Sequence, residues 1–224
     1  MLEIVLLAIV QGIAEFLPIS SSGHLVILGA LMGQLSESPT LEVILHAGTL
    51  GSILVVFWRR ILKLLTTDRR VIPLLVVGTL PAVVIGLTIK LQFESILRSP
   101  MLAGAMLLVT ATMLVVLGKL KPRDGDYQAL SYFGAFAIGC FQAVAILPGI
   151  SRSGSTILGG RLLGLKNEDS VTFSFLLAIP AICGATVLTL KDMLEPAVED
   201  APLAGQPLEY SLSSLAIGAT VPFF

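Results

Sequence analysis

Two short polar stretches interrupt otherwise apolar sequence, and each joins a serine cluster to an ionisable residue. Residues 15–24 read Glu-Phe-Leu-Pro-Ile-Ser-Ser-Ser-Gly-His, and residues 148–156 read Pro-Gly-Ile-Ser-Arg-Ser-Gly-Ser-Thr. Glutamate, histidine or arginine at membrane depth is costly unless it is paired or faces a wet cavity. An arginine fork, clustered hydroxyls, a carboxylate and a histidine near a serine suit the binding and cleavage of a phosphate ester. The two stretches therefore predict one site for a phosphorylated substrate.

Both stretches offer a helix start that could bind an anion, and the second adds side chains suited to phosphate. Proline and glycine break the helix in both stretches, and new helices are expected to begin near Ser22 and near Ser153. Each helix start offers free N–H groups and the positive end of a helix dipole, which attract a phosphate. Arg152 adds a permanent charge with bidentate geometry. Further hydroxyl donors are available from Ser151, Ser153, Ser155 and Thr156.

The first stretch has the character of a reactive side. His24 follows Ser20 and Ser21 by four and three residues, so its imidazole could accept a serine proton or orient a water. Gln11 and Glu15 are four residues apart and share a helical face. Their amide and carboxylate oxygens suit a hard divalent cation that also holds phosphate oxygens.

Structural roles for the same residues stay open at this point. The small residues of both stretches could serve helix packing in a membrane. Glu15 and Arg152 could form a buried structural ion pair, and His24 could be a structural hydrogen-bonding residue. His46, near the outer end of an apolar span, is expected to be structural or interfacial.

Composition places the chain in a membrane. Of its 224 residues, 55% are hydrophobic and 13% are charged, and the mean hydropathy is +0.93. A soluble domain carries about 25% charged residues. The net charge of −1 gives no reason to expect a nucleic acid partner. Cys140 and Cys183 lie in apolar segments without disulfide or metal-ligand spacing, and both are expected to be small core residues.

The apolar segments predict an all-α polytopic membrane protein. Stretches of about 20 apolar residues can cross a bilayer. Such stretches lie at 42–58, 71–90, 100–118 and 171–190, with a fifth beginning near 208. Two others, 2–33 and 130–165, are each divided by one of the polar stretches. Their short halves predict two re-entrant helical hairpins, because irregular backbone at membrane depth must be buried or line a cavity.

Charge asymmetry and an internal repeat predict how the hairpins are arranged. The basic loop after residue 58 is expected in the cytoplasm and the acidic segment 192–200 outside. Following the spans from these loops places the first hairpin on the outer side and the second on the cytoplasmic side. The hairpins are therefore expected to enter from opposite faces. A shift of about 131 residues aligns Gln11 with Gln142 and Ser22-Gly23 with Ser153-Gly154. The prediction is an inverted-topology repeat with halves of approximately 1–118 and 119–224 in one membrane domain, 1–224.

These motifs resemble the undecaprenyl-pyrophosphate phosphatase family, the bacitracin-resistance membrane phosphatases of bacteria. The family's Glu/Gln-x-x-x-Glu motif appears here at residues 11–15, and Pro-x-Ser-Ser-x-Gly-His at residues 18–24. The second family motif, Pro-Gly-x-Ser-Arg-Ser-x-x-Thr, matches residues 148–156 at every fixed position. The likeness extends along nearly the whole chain.

The resemblance implies hydrolysis of undecaprenyl diphosphate to the monophosphate, the lipid carrier for cell-wall polymers, with a divalent cation such as Mg²⁺ or Ca²⁺. It implies metal and acid–base roles for Glu15 with Gln11, and it makes Ser21 the nucleophile with His24 as base. The diphosphate is then bound by Ser20, Ser151, Arg152, Ser153 and Thr156. It also implies a bacterial plasma membrane protein whose site opens outward. Family members continue beyond the position of Phe224, so their C-terminal hairpin is expected to be missing from these residues.

A transporter or flippase of an anionic lipid is the alternative class. Inverted repeats with broken helices around a midplane site are typical of transporters. A carrier needs the anion site but no base beside a serine, so the residue types favour chemistry. The sequence leaves open the isoprenoid length, the metal, whether serine or water attacks, and whether the protein forms a homodimer.

The predicted orientation can be tested by thiol labelling. Cysteines introduced singly at Ser38 and Glu199 should react with an impermeant reagent in intact cells, whereas one at Thr67 should react only after lysis. The expectation follows from the Lys/Arg bias of short cytoplasmic loops. The reverse labelling pattern would invert the predicted topology.

Overall fold

The computed structural model describes residues 2–32, 39–92, 97 and 99–194. Those residues are helical, apart from loops and one isolated bridge between Gly125 and Leu165. The α-helices in chain order are α1 (Leu2–Phe16), α2 (Ser21–Met32), α3 (Pro39–Val56), α4 (Trp58–Leu65), α5 (Val71–Gln92), α6 (Pro100–Lys119), α7 (Tyr132–Val144), α8 (Arg152–Leu162) and α9 (Asn167–Leu194). A 3-10 helix, Tyr127–Ala129, precedes α7.

The helices carry the apolar character of a membrane protein. Long apolar segments able to cross a bilayer lie in α5 (Val71–Ile89), α6 (Pro100–Lys119) and α9 (Asn167–Leu188), and shorter ones lie in α1, α2, α3 and α7. Large apolar side chains such as Leu108, 72% exposed, cover much of the surface. Soluble proteins rarely expose apolar patches of this extent, which agrees with the predicted all-α polytopic membrane fold. The apolar segment expected from residue 208 lies outside the described residues.

A short helix replaces the first part of the expected basic loop after residue 58. Helix α4 follows α3 after Phe57 and carries Arg59, Arg60 and Lys63. Its apolar Leu64 is buried in the same cluster as Val71 at the start of α5. The Arg59 guanidinium lies 5.6 Å from the centre of the Trp58 ring, a cation–π contact. The basic residues therefore lie on an amphipathic helix.

The prediction that both cysteines are core residues is wrong. Cys140 on α7 and Cys183 on α9 are exposed at the helix surface. A small apolar side chain is stable against lipid as well as against protein, so an apolar segment does not reveal which of its faces is inside.

The central packing joins the two halves of the chain. Helix α5 packs closely along α7, and α9 packs against α3, α5 and α8. The α5–α7 crossing needs small residues, because a Cβ on Gly139 would collide with the Gly78 carbonyl group. The main core cluster includes Leu74, Phe173 and Leu176.

Two pairs of short helices meet beside α6, and each pair is divided by a break in the helical backbone: residues 17–20 between α1 and α2, and residues 145–151 between α7 and α8. Helix α1 packs on α2 and α7 packs on α8, while α6 contacts both α2 and α8. The first turn of α2 meets the second break at two glycines: a Cβ on Gly23 would lie 2.6 Å from the Gly149 Cα. Gly149 also has φ +96°, a left-handed conformation that favours glycine. Close approach of bare backbone therefore brings the two polar stretches together.

Substitution of Gly23 by alanine should destabilise the protein. The added methyl would press on the backbone of Gly149, and overpacking of this kind costs about 1–3 kcal/mol. We expect a lower midpoint of thermal denaturation in detergent. Gly104→Ala on α6 is the matched control, because a Cβ there meets no atom within 4 Å among the described residues. Equal melting behaviour of the two variants would contradict the close contact between α2 and the second break.

Candidate active site

The first break is shaped by Ser20. Its φ of +69° is unusual for a residue with a side chain, and it ends the irregular backbone after α1. The Ser20 hydroxyl accepts a hydrogen bond from the Gly23 amide at 3.3 Å, so Ser20 caps the N-terminus of α2. Helix α2 begins at Ser21, one residue before the predicted start.

The second break repeats this local structure. The Ser151 hydroxyl accepts a hydrogen bond from the Gly154 amide at 3.1 Å and caps α8. Helix α8 begins at Arg152, again one residue before the predicted start. The repeat shift of about 131 residues relates Ser151 to Ser20 and Gly154 to Gly23. Both polar stretches therefore use a serine-capped helix start.

Glu15 lies at the centre of the polar network that connects the breaks. Arg152 Nη2 donates a hydrogen bond to Glu15 Oε1 and forms an ion pair with it. The Ser21 hydroxyl donates to Glu15 Oε2 at 2.6 Å, and Gln11 Nε2 donates to the same oxygen at 3.2 Å. Glu15 itself is only 7% exposed. The Glu15 carboxylate thus accepts hydrogen bonds from a guanidinium, a hydroxyl and an amide group, and it has little access to water.

This network opens onto a cavity of about 400 Å³. Its polar wall comes from the two polar stretches and α3, and its apolar wall comes from α9, from the segment between α7 and α8, and from Ala14. The polar lining consists of Glu15, Ser20, Ser21, Ser22, His46, Ser151, Arg152 and Ser153. The remaining lining residues are Ala14, Ala145, Ile146, Ile150, Ala181, Ile182, Ala185 and Thr186. The combination suits a ligand with an anionic head and an apolar tail.

Two buried polar atoms near Glu15 have no hydrogen-bond partner among the residues that the structure describes. They are Arg152 Nη1 and Gln11 Oε1. Buried polar atoms are nearly always paired, so an unpaired donor beside a cavity indicates a place for a ligand acceptor. The Gln11 oxygen is of the type that a hard cation prefers, but Gln11 is fully buried and does not line the cavity. Within the described part of the chain no cluster of three His, Cys, Asp or Glu side chains could hold a metal ion. A cation here therefore needs oxygens from the substrate or from water.

Four of the sequence-predicted residues do not line the cavity: Gln11, His24, Ser155 and Thr156. The His24 Nδ1–H group donates to the Ser20 carbonyl at 2.7 Å, and His24 does not line the cavity. The hydrogen-bond acceptor of Ser21 is Glu15, not His24. Thr156 donates to the Arg152 carbonyl at 2.9 Å and pairs with the Ser174 hydroxyl at 2.6 Å. His24 and Thr156 thus bond backbone carbonyl groups at the starts of α2 and α8.

His46 is the cavity residue whose position sequence reasoning missed. Its Nε2 lies 3.8 Å from Glu15 Oε2, and its side chain is 24% exposed. Helix α3 brings it there by packing against α1. An ionisable residue within an apolar segment is by default a functional candidate, and that signal was present in the sequence.

Comparison with known proteins agrees with the sequence motifs. The family description "Bacitracin resistance protein BacA" matches residues 4–223. The chain is 70% identical over 223 residues to an undecaprenyl-diphosphatase of Rhodopirellula baltica, with 100% of this chain and 84% of the relative aligned. An undecaprenyl-diphosphatase of Halothermothrix orenii is 40% identical over 200 residues, which is 88% of this chain and 77% of the relative. One of Pelotomaculum thermopropionicum is 40% identical over 211 residues, 91% of this chain and 80% of the relative. The chain therefore belongs to the bacitracin resistance protein BacA family.

Proposed function

We propose that this membrane protein hydrolyses undecaprenyl diphosphate to undecaprenyl phosphate and inorganic phosphate, and so recycles the lipid carrier for cell-wall synthesis. The named relatives are undecaprenyl-diphosphatases. The observation that carries the proposal is the group of Glu15, Ser21 and Arg152 on one cavity. It joins a hydroxyl nucleophile, a base and a phosphate-binding cation at one point.

The diphosphate binds between the starts of α2 and α8. Arg152 Nη1 offers an unpaired donor to a phosphate oxygen, and a guanidinium binds such oxygens in a planar fork. Ser20, Ser151 and Ser153 line the cavity near these helix starts and add hydroxyl groups. The apolar wall of α9 lies beside the first isoprenoid units. A diphosphate competes with Glu15 for Arg152, which leaves the carboxylate free to act as a base.

The reaction proceeds through Ser21. Its hydroxyl proton passes to Glu15 while Oγ bonds to the terminal phosphorus, and the bond from that phosphorus to the bridging oxygen breaks. The lipid monophosphate leaves with the proton that Glu15 had taken. Water then attacks the phosphoserine phosphorus, and one of its protons passes through Glu15 to Oγ as inorganic phosphate is released. His46, beside Glu15, can exchange protons with the carboxylate. A direct attack by water, with Glu15 as its base, is the alternative that the Ser21 variant below distinguishes.

A divalent cation fits this site together with the substrate. The Glu15 carboxylate, which lines the cavity, is the protein group that would hold it, and the unpaired Gln11 Oε1 would have to turn toward the cavity to join it. The rest of its ligands would come from phosphate and water. When bound, it would neutralise charge on the diphosphate oxygens. Mg²⁺ and Ca²⁺ are the expected ions because both prefer oxygen ligands.

The membrane arrangement is part of the proposal. The pairs α1–α2 and α7–α8 are re-entrant hairpins of an inverted repeat, and the cavity opens to the outer face of the bacterial plasma membrane. Support comes from the matched serine caps and from the Lys/Arg bias of the short loops.

Phosphate release by the purified protein tests the function. In detergent, the wild type should release inorganic phosphate from undecaprenyl and farnesyl diphosphates, and a chelator should stop the reaction. Arg152→Lys should reduce kcat/KM by about ten- to a hundredfold, because lysine keeps the charge but loses the fork. Phosphate release is measured with equal amounts of folded protein.

Three other outcomes of these measurements would each contradict a different part of the proposed function. Substrate exchange between membrane leaflets without any hydrolysis would replace the phosphatase with a carrier. Activity that survives chelation would remove the cation and leave the phosphatase. Normal turnover by Arg152→Lys would remove Arg152 from the phosphate site.

The Ser21 hydroxyl should be essential if it attacks phosphorus. Ser21→Ala should lose more than about a hundredfold in kcat, because it removes the nucleophile rather than one hydrogen bond. The matched control is Ser22→Ala, which lines the same cavity but whose hydroxyl lies 3.4 Å from Ser20 Oγ. A phosphorylated intermediate should be trapped in Ser22→Ala and absent from Ser21→Ala. Ser21→Ala activity within about tenfold of the wild type would assign the attack to water.

A further inference from the structure

The hydroxyl of Thr110, in the middle of α6, forms its hydrogen bonds outside its own helix. The residue is 2% exposed. Its Oγ1 donates a hydrogen bond to the Gly149 carbonyl at 2.7 Å and accepts one from the Ser151 amide at 3.0 Å. One side chain therefore satisfies a carbonyl and an amide on either side of Ile150, where the backbone belongs to no helix.

Other threonines of the apolar helices behave differently. Thr79, Thr88 and Thr112 each donate to the carbonyl four residues earlier in their own helix. A threonine in an apolar helix usually forms this bond, because the carbonyl group four residues earlier always lies within reach of its hydroxyl. Thr110 instead reaches a segment 39 to 41 residues away. Its contacts are thus specific to the second break.

The bonds of Thr110 fix the residues that lead into the phosphate site. Gly149 packs with its left-handed backbone against the α6 backbone at Ala103. Ser151 caps α8, and Arg152 follows directly as the first residue of that helix. The position of the guanidinium relative to Glu15 therefore depends on where α6 holds this loop.

We propose that Thr110 is a positioning residue for the phosphate site, which acts by holding the 149–151 loop so that Arg152 and the start of α8 face the cavity. The proposal rests on the proposed function, because it assigns the anion site to substrate phosphate. Without the hydroxyl, the Gly149 carbonyl and the Ser151 amide are buried and unpaired, and the loop shifts to find new partners. Small displacements of a phosphate-binding group reduce both binding and turnover.

The test compares three variants on α6. Thr110→Val keeps the shape but removes the hydroxyl, Thr110→Ser keeps the hydroxyl, and Thr112→Val makes the same valine change on an exposed face of the helix. Thr110→Val should raise KM for undecaprenyl diphosphate and the inhibition constant of inorganic phosphate, and lower kcat/KM, by about tenfold or more. Thr110→Ser and Thr112→Val should both stay within about threefold of the wild type.

A purely structural role for Thr110 would give another pattern. Loss of folded protein lowers the maximal rate but leaves KM and the phosphate inhibition constant unchanged, so that result would overturn the proposal. A Thr110→Ser variant as poor as Thr110→Val would also overturn it, because the hydroxyl would then be irrelevant.

A direct binding measurement separates this proposal from the proposed function. Inorganic phosphate should raise the melting temperature of the wild type and of Thr112→Val, and should raise that of Thr110→Val much less. If the wild type releases no phosphate from the lipid but still shows this difference, the enzymatic function fails and the role of Thr110 stands. If phosphate stabilises Thr110→Val as much as the wild type, the role of Thr110 fails.

Discussion

The buried ion pair between Glu15 and Arg152 is the interaction on which the arrangement of the two breaks depends. The residues are 137 positions apart, one at the end of α1 and the other at the start of α8. Each charge alone would be strongly disfavoured in an apolar interior, and the loss of one partner of such a pair costs about 3–5 kcal/mol. The pair therefore requires the two breaks to meet, and the glycine contact between Gly23 and Gly149 permits it.

Irregular backbone inside an apolar protein must find hydrogen-bond partners, and here side chains supply them. Ser20 and Ser151 cap the helix starts, His24 binds the Ser20 carbonyl, and Thr110 binds the 149–151 loop. In lipid no water can replace these groups, so each one is needed for the local fold. Ser20 and Ser151 also line the cavity, so two of the hydroxyls that stabilise the breaks belong to the site as well.

The two polar stretches have matched helix starts and unmatched chemistry. Positions related by the shift of about 131 residues line the cavity in pairs, for example Ser20 with Ser151. At two pairs the residue types differ in kind: Glu15 corresponds to Ile146, and Ser21 corresponds to Arg152. One half therefore provides the carboxylate and hydroxyl, and the other provides the guanidinium. A carboxylate at the end of α1 opposite a guanidinium at the start of α8 suits a site that must bind an anion and also activate a nucleophile.

The sequence by itself determined the apolar helices, the two breaks and most of the polar residues near the cavity. These features are local, since segment length, proline, glycine and serine act within a few residues. Tertiary structure decided the rest. Protein and lipid are both apolar, so the pattern could not show that Cys140 faces outward. Only the packing of α3 brings His46 to Glu15, and only α6 brings Thr110 to the second break, because those contacts join distant segments through space.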